Sequence, residues 1–256
     1  DATVNPTAPI ICATAEILAN KALREGDQCP VGLVIMDEFH FVADPDRGWA
    51  WQVPLIELPH TQFVLLSATL GNTQLWKEGL QQRTGRVVTE VGGVERPVPL
   101  TFRYSHSPLN ETVLSLLEEG LGSLYIVFFT QREALDYANQ LKSTALITKE
   151  QRARIAEALR GFRFSTSFGV SLRSLLLHGV GIHHAGMLPK YRRLVERLAQ
   201  AGLLPVICGT DTLGVGINVP IHTVVFSGLA KFDGHRQRIV KAVSYTHLRA
   251  HETLRY

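Results

Sequence analysis

The chain has few of the features that mark secreted and membrane-spanning proteins. We find no signal peptide pattern in its 256 residues and no apolar run that approaches about 18 residues. The three cysteines, Cys12, Cys29 and Cys208, are dispersed, and two of them lie in or beside apolar segments. This usage predicts reduced packing residues rather than disulfides, and it favours a cytoplasmic location.

Charge is sparse as well. Charged residues make up 19% of the chain, and the net charge is only +3 at pH 7. Such a surface does not attract nucleic acid through its overall charge. The charge balance therefore permits a nucleic-acid partner without indicating one. Evidence for such a partner has to come from sequence motifs.

One apolar run ends abruptly in two carboxylates. Leu33 to Met36 show no polar alternation, which predicts a strand covered on both faces in a parallel sheet flanked by helices. Ligands of open α/β sheets gather beyond the carboxyl ends of the strands. We predict that Asp37 holds the Mg²⁺ of a bound triphosphate and that Glu38 orients the attacking water. The alternative is that both acids cap a following helix.

The same pattern recurs nearby. Phe63 to Leu66 predict a second buried strand, which ends in Ser67, Ala68 and Thr69, and Pro9 to Thr14 predict a third. Taken alone, the Ser-Ala-Thr segment is equally typical of a strand end capped by hydroxyl groups. The order of Asp-Glu-Phe-His followed by Ser-Ala-Thr is much more specific than either motif.

The second half of the chain begins with an apolar strand, Tyr125 to Thr130. The helix predicted after it places Leu135, Ala138 and Leu141 on one stripe. Further on, Gly179 to Leu203 predict a strand, a turn and an amphipathic helix with Pro189 near its start. The residues of this helix expected to face the core are Tyr191, Leu194, Val195 and Leu198.

Two adjacent histidines, His183 and His184, precede that helix. Neighbouring residues of a strand point to opposite faces, and no cysteine or acid nearby completes a ligand set. We therefore predict packed or backbone-contacting histidines rather than zinc ligands. Beyond them, Pro205 to Pro220 predict a strand followed by a glycine-punctuated loop. Glycine lets the backbone approach phosphate closely, and the exposed amides of such a loop bind anions.

These motifs, in this order, carry a resemblance that spans almost the whole chain. The sequence resembles the DExH-box helicases of superfamily two, within the superkiller-like group of RNA helicases. The resemblance implies an α/β fold of two RecA-like lobes, with parallel sheets flanked by helices and the first lobe truncated at its N-terminus. It also implies ATP and Mg²⁺ as cofactors and RNA as the partner.

For the first half, the resemblance implies that Asp37 holds Mg²⁺ and that Glu38 orients the attacking water. It implies that Thr14 and Glu16 contact nucleic acid and that His40 couples the nucleotide state to lobe closure. Ser67 and Thr69 are implied to relay hydrolysis to strand movement. In the second half, Thr130 and Thr210 are implied contacts of the nucleic-acid backbone, and Gly216 and Asn218 are implied to lie toward the nucleotide.

The expected domains are a first lobe at residues 1–94 and a second at residues 95–242. Their connector is expected at residues 92–100, where Pro97 and Pro99 disfavour helix, although an edge strand is nearly as good an interpretation. Residues 243–256 resemble a sequence found at the ends of unrelated library-derived proteins. We expect this tail to be non-native; the alternative is a native helix that carries His247 and His251.

Two elements of the resemblance are missing from the chain. There is no G-x-x-x-x-G-K-[ST] phosphate loop, and the arginine-rich motif that follows the Lys-Phe-Asp-Gly segment in the family is not reached. We therefore expect a fragment without ATPase activity, from a parent that is an ATP-dependent RNA helicase. A DNA helicase of the same superfamily and a nucleotide-independent RNA-binding module remain as alternatives.

Overall fold

A computed structural model describes residues 5, 7–67, 70–93, 101–210, 219–232 and 237–239. Of these, residues 231, 232 and 237–239 are described by their backbone alone. The chain divides into two units, residues 1–96 (unit 1) and 97–256 (unit 2). Because the boundary lies outside the described residues, as do Pro97, Pro99 and the tail at 243–256, the assignment of the connector and the tail stays a prediction.

Unit 1 contains a two-stranded parallel sheet with helices between and around its strands. Its strands pair in register, with Leu33 opposite Gln62 and Met36 opposite Leu65. In chain order its elements are α1 (Ala15–Glu25), β1 (Leu33–Met36), α2 (Trp49–Glu57), β2 (Gln62–Leu65) and α3 (Gln74–Thr84), with 3₁₀ turns at Gly26–Gln28 and Phe39–Ala43.

Strand β1 is covered on one face only, so the prediction that it is buried on both faces was wrong. Val34 and Met36 are buried in a core that also contains Ala19 of α1 and Trp51 of α2. On the other face Leu33 is 53% exposed and Ile35 is 61% exposed. Both helices pack on the same side of the sheet, and no element of the described part of unit 1 covers the opposite side.

The third strand predicted for this unit, Pro9 to Thr14, does not form. The segment is irregular, and its side chains Ile10 and Ile11 are 84% and 57% exposed. Apolar residues alone do not make a strand, because a strand also needs a neighbour that accepts and donates its backbone hydrogen bonds. Cys12 is exposed too, which contradicts its prediction as a packing residue, whereas Cys208 is buried as predicted.

The described part of unit 2 is built on a four-stranded parallel sheet, whose strands lie side by side in the order Val180–His183 (β4), Val206–Thr210 (β5), Leu124–Phe128 (β3) and Thr223–Phe226 (β6). A separate antiparallel pair is formed by Ala230–Phe232 (β7) and Gln237–Ile239 (β8). The elements of unit 2 are α4 (Leu109–Glu118), β3 (Leu124–Phe128), α5 (Gln131–Leu141), α6 (Lys149–Ala158), α7 (Ser167–Leu176), β4 (Val180–His183), α8 (Pro189–Gln200), β5 (Val206–Thr210), β6 (Thr223–Phe226), β7 (Ala230–Phe232) and β8 (Gln237–Ile239).

The central strands of unit 2 are buried at every residue, as expected for parallel strands with helices on both faces. Capping boxes start α5 and α6: the hydroxyl of Thr130 or Thr148 accepts from the backbone N–H three residues later, and the side chain there accepts in return. Helix α8 begins at Pro189 as predicted. Its buried residues include the predicted set, Tyr191, Leu194, Val195 and Leu198.

The predicted fold class is confirmed: the chain is α/β, with parallel sheets flanked by helices, as in RecA-like helicase lobes. The assignment of the two units as the first and second helicase lobes stays a prediction. Within the part of the chain that the structure describes, every helix is too short or too polar to cross a membrane.

Candidate functional site

The two acids lie at the carboxyl end of β1, where the sequence pattern predicted them. Asp37 directly follows Met36, the last residue of the strand. Its Oδ1 accepts a hydrogen bond from the backbone N–H of Glu38 at 2.8 Å, and its carbonyl oxygen accepts one from Trp51 Nε1 at 3.3 Å. The backbone of Asp37 is thereby held in place while the residue stays exposed at the edge of the sheet.

Glu38 turns the chain sharply out of the strand. Its backbone is left-handed (φ 54°, ψ 40°), a conformation that costs a non-glycine residue about 1–2 kcal/mol. Such strain is concentrated at functional sites, where the surrounding structure enforces it. The side chain of Glu38 makes no capping hydrogen bond to the 3₁₀ turn that follows, so the alternative of a simple helix cap is not supported for it. Instead its Oε2 lies 3.4 Å from Nδ1 of His40.

Strand β2 brings Ser67 to the same edge. The N–H of Leu66 donates to the Met36 carbonyl at 2.9 Å, and the Leu66 carbonyl accepts from the N–H of Phe39, also at 2.9 Å. These bonds join the residue before Ser67 to both sides of the turn formed by Asp37 and Glu38, which we call the acidic turn. Ser67 itself is exposed, whereas Thr69 lies outside the described residues. The relay role of this pair stays a prediction.

Asp37 and Glu38 are ligands of the kind that Mg²⁺ takes together with a nucleotide, and the assignment of Mg²⁺ and ATP to them stays a prediction. The described residues contain no cluster of three or more histidine, cysteine, aspartate or glutamate side chains that could hold a metal. Mg²⁺ needs no such cage, because it is usually held by one or two carboxylates, several waters and the phosphates of a substrate. Asp37 and Glu38 provide carboxylates of this kind at an open sheet edge.

Helix α1 carries the predicted nucleic-acid contacts of unit 1. Thr14 is exposed at the start of the helix, and Glu16 lies in its first turn. The Glu16 carboxylate does not stand alone: Oε1 accepts from Nη2 of Arg47 at 2.6 Å and from Nε of Arg47 at 3.0 Å. The hydrogen bond from Arg47 is the main reason that the pKa of Glu16 lies below its ordinary value.

Sequence reasoning missed Arg47. The residue is 31 positions from Glu16 along the chain and belongs to no motif that the sequence analysis used. Only the packing of α1 against α2 brings the two charges together. A search for oppositely charged residues at helical spacing would not have found the pair either.

In unit 2, the remaining predicted contacts also lie at a carboxyl edge. Thr130 follows β3 and Thr210 ends β5, and these strands are neighbours with Phe128 opposite Thr210. The Thr130 hydroxyl accepts from Glu133 N at 3.1 Å as the cap of α5. Thr210 is only 7% exposed, and its carbonyl accepts from Tyr125 Oη at 2.8 Å. The structure brings both threonines to one edge, but their phosphate contacts stay predictions. Gly216 and Asn218 lie outside the described residues.

The adjacent histidines are packed, as predicted. His183 and His184 are 4% and 7% exposed. His184 lies edge-on against Phe168, while His183 Nε2 lies 3.2 Å from Glu196 Oε1 on α8. Burial lowers the pKa of both imidazoles from the ordinary value, and for His183 the bond to Glu196 opposes this effect only in part. Glu196 reaches His183 from the next helix as a single hydrogen-bonding partner.

Comparisons with known proteins identify relatives over nearly the whole chain. The chain is 29% identical over 318 aligned residues to the probable helicase HelY of Mycobacterium tuberculosis, an alignment covering 97% of the chain and 35% of the relative. It is 27% identical over 301 residues to superkiller complex protein 2 of Mus musculus, covering 91% of the chain and 24% of that protein. It is 26% identical over 308 residues to the exosome RNA helicase MTR4 of Homo sapiens, covering 96% and 29%.

The chain therefore spans about a third or less of the length of these curated relatives. No family model matches it.

Proposed function

Because the chain belongs to the superkiller-like group of DExH-box helicases of superfamily two, we propose that it is part of an ATP-dependent helicase that translocates along RNA and unwinds it. The observation that carries the proposal is the acidic turn at the end of β1, joined to the Ser67 segment through the backbone of Leu66. The substrate in this proposal is supported by the relative MTR4, whose name describes it as an RNA helicase.

The site divides the work of hydrolysis among neighbouring side chains. Asp37 would hold Mg²⁺, which when bound neutralises the charge that develops on the transferring phosphoryl group. Glu38, whose strained backbone sets the direction of its side chain, would orient the attacking water and accept its proton. His40, 3.4 Å from Glu38, would sense the state of that carboxylate.

A single substitution in the longer protein that contains this region tests the assignment. Glu38→Gln keeps the size of the side chain but removes the negative charge that accepts a proton. We expect ATP binding to persist and RNA-stimulated hydrolysis to fall by a factor of about 10² to 10⁴, the usual contribution of a positioned base. The measurements are steady-state phosphate release and nucleotide binding. Full turnover by the variant would remove Glu38 from this role.

The 256-residue chain itself is proposed to lack ATPase activity. It contains no G-x-x-x-x-G-K-[ST] segment, whose backbone amides and lysine cradle the phosphates in enzymes of this type. Phosphoryl transfer depends almost entirely on such positioning and electrostatic groups. Robust RNA-stimulated turnover by the isolated chain would contradict this part of the proposal.

RNA binding by the chain is the second testable part. Contacts to a phosphate backbone weaken steeply as salt is raised. We expect single-stranded RNA to bind at low salt and to be released as the salt concentration rises. A parallel titration with single-stranded DNA of the same sequence separates the RNA helicase from a DNA helicase of the same superfamily. Tight RNA binding without any dependence on nucleotide in the longer protein would favour the RNA-binding module instead.

A further inference from the structure

In the ion pair between Glu16 and Arg47, the carboxylate holds one edge of the guanidinium and leaves the other edge exposed to solvent. Both Nε and Nη2 of the guanidinium donate to the same carboxylate oxygen, so one edge of the group is fixed. The Arg47 side chain nevertheless remains 57% exposed, against 30% for Glu16. A guanidinium carries five N–H donors, and the two bonds to Glu16 leave the Nη1 group for another acceptor.

A tight turn presents Arg47 at this position. Oδ1 of Asp44 accepts from the backbone N–H groups of Asp46 at 3.0 Å and of Arg47 at 2.8 Å, and the Asp44 carbonyl accepts from Gly48 at 2.9 Å. A Cβ atom at Gly48 would collide with the carbonyl oxygens of Asp44 and Val42. Only glycine therefore permits this close return of the chain, and the turn holds the backbone of Arg47 in one place.

Trp51 supports the guanidinium from a second direction. The Arg47 Cζ atom lies 5.8 Å from the centre of the Trp51 ring, within the range of a cation–π contact. Trp51 is only 8% exposed, and its Nε1 donates to the Asp37 carbonyl. One buried side chain thus touches both the arginine and the turn that carries the acids.

The charges argue against Glu16 as a direct contact of a nucleic-acid strand. A carboxylate repels phosphate, whereas a guanidinium binds it through paired, charge-assisted hydrogen bonds. The side chain of Thr14, the neighbouring predicted contact, lies close enough to the Glu16 carboxylate to help lower its pKa. Arg47 and Thr14 therefore lie around one carboxylate, on the part of α1 that the sequence analysis assigned to nucleic acid.

We infer that Arg47 is the residue of unit 1 that binds the phosphates of the single strand, and that Glu16 and Trp51 are positioning residues that hold its guanidinium. The inference rests on the proposed function, because it names a contact for the same substrate. It replaces the expected contact by Glu16. Trp51 contacts both the Asp37 carbonyl and the Arg47 guanidinium, so a single side chain lies between the proposed strand contact and Asp37.

Chemical footprinting of the unaltered chain tests the inference directly. Phenylglyoxal modifies exposed arginines, and mass spectrometry reads the extent of modification at each one. We expect single-stranded oligouridylate to reduce the modification of Arg47 severalfold. Arg24, 71% exposed in the last turn of α1, is the internal control and should react equally with and without RNA. Equal modification of Arg47 in both states would overturn the inference.

Three variants sharpen the test by fluorescence anisotropy. Arg47→Ala should weaken RNA binding about tenfold and reduce the slope of log K against log salt by roughly 0.7, the loss of one single-strand phosphate contact. Arg24→Ala removes the same charge and should leave both quantities unchanged. Glu16→Gln keeps an oxygen that accepts from Arg47, so binding should persist. A loss of binding in Glu16→Gln together with unchanged binding in Arg47→Ala would make Glu16 itself the contact and overturn the inference.

The outcomes separate this inference from the proposed function. RNA binding with Arg47 unprotected overturns the inference and leaves the RNA helicase proposal standing. Binding of DNA but not RNA, with Arg47 protected, removes the RNA substrate and supports the inference as a phosphate contact. No binding of either strand at low salt overturns the inference. If circular dichroism shows that Arg47→Ala does not fold, the footprint on the unaltered chain decides.

Discussion

The two units use the same strand-and-helix plan, yet they bury their sheets very differently. In unit 2 the central strand β3 is buried at all five residues, and helices lie on both faces of the sheet. In unit 1 alternate residues of β1 are buried and exposed, so one apolar face of the strand is uncovered by the residues that the structure describes. An uninterrupted apolar strand is therefore a property of the sequence, whereas the number of covered faces is a property of the surrounding chain.

A matched pair of isoleucines tests this difference with the largest expected effect. Ile126 in β3 is fully buried and Ile35 in β1 is 61% exposed. Ile126→Ala leaves a cavity and should lower the free energy of unfolding of unit 2 by about 2–5 kcal/mol. Ile35→Ala removes little buried surface and should cost unit 1 well under about 1 kcal/mol.

Selective probes are available for the two units. All three tryptophans, Trp49, Trp51 and Trp76, lie in unit 1, so their fluorescence follows the unfolding of that unit. Hydrogen exchange of peptides that contain β3 follows unit 2. A large cost for Ile35→Ala in the fluorescence transition would show that the open face of β1 is covered in solution.

Glycine substitutions should separate the units by the sign of the effect. A Cβ atom at Gly209 in β5 would collide with the His183 carbonyl and the Tyr125 hydroxyl, so Gly209→Ala should destabilise unit 2 by about 1–3 kcal/mol. Gly79 in α3 has open space around it, and Gly79→Ala should stabilise unit 1 by about 0.4–1 kcal/mol through the unfolded state. Thermal unfolding followed by the two probes measures both. Equal destabilisation by the two changes would show that space around the glycine does not decide the outcome.

Acid should weaken unit 2 through its buried histidines. Burial lowers the pKa of His183, so the folded state binds fewer protons than the unfolded state just below the ordinary histidine pKa of about 6.5. The stability is fully present above that pH and falls as the pH drops below it. His184, Glu196 and Arg192 act on the same imidazole. His183→Asn should flatten the dependence of unit 2 unfolding between pH 7 and pH 5; an unchanged profile would exclude His183 as its source.

The smallest effect on stability is expected for the ion pair between Glu16 and Arg47. Glu16→Gln breaks an ion pair that is largely open to water, and exposed pairs contribute about 0–1 kcal/mol. The tryptophan fluorescence transition of unit 1 should therefore shift little. A loss of several kcal/mol would mean that the pair mainly joins α1 to the start of α2. Arg47 would then be a structural residue rather than a phosphate contact.

The motifs were predictable because each is a local sequence pattern with a local structural result. The apolar run before Asp37 forms a strand of the predicted length, and Pro189 starts the helix whose apolar stripe is buried. The failures concern relations across the chain. Pro9 to Thr14 have a strand-like composition but no partner strand in the described part of unit 1, and Leu33 and Ile35 of β1 are exposed where burial was predicted.

The order of strands, acids and hydroxyl groups along the chain determined the α/β class and the place of the acidic turn, because side-chain burial and strand ends follow from short-range periodicity. Only the tertiary structure decided which charges meet. Arg47 contacts Glu16 and Trp51 because two helices pack on one face of a sheet. No local sequence pattern predicts the contact between Arg47 and Glu16, which lie 31 positions apart. Electrostatic interactions depend on the distance between charges in space, and that distance is set by how the helices and strands pack together.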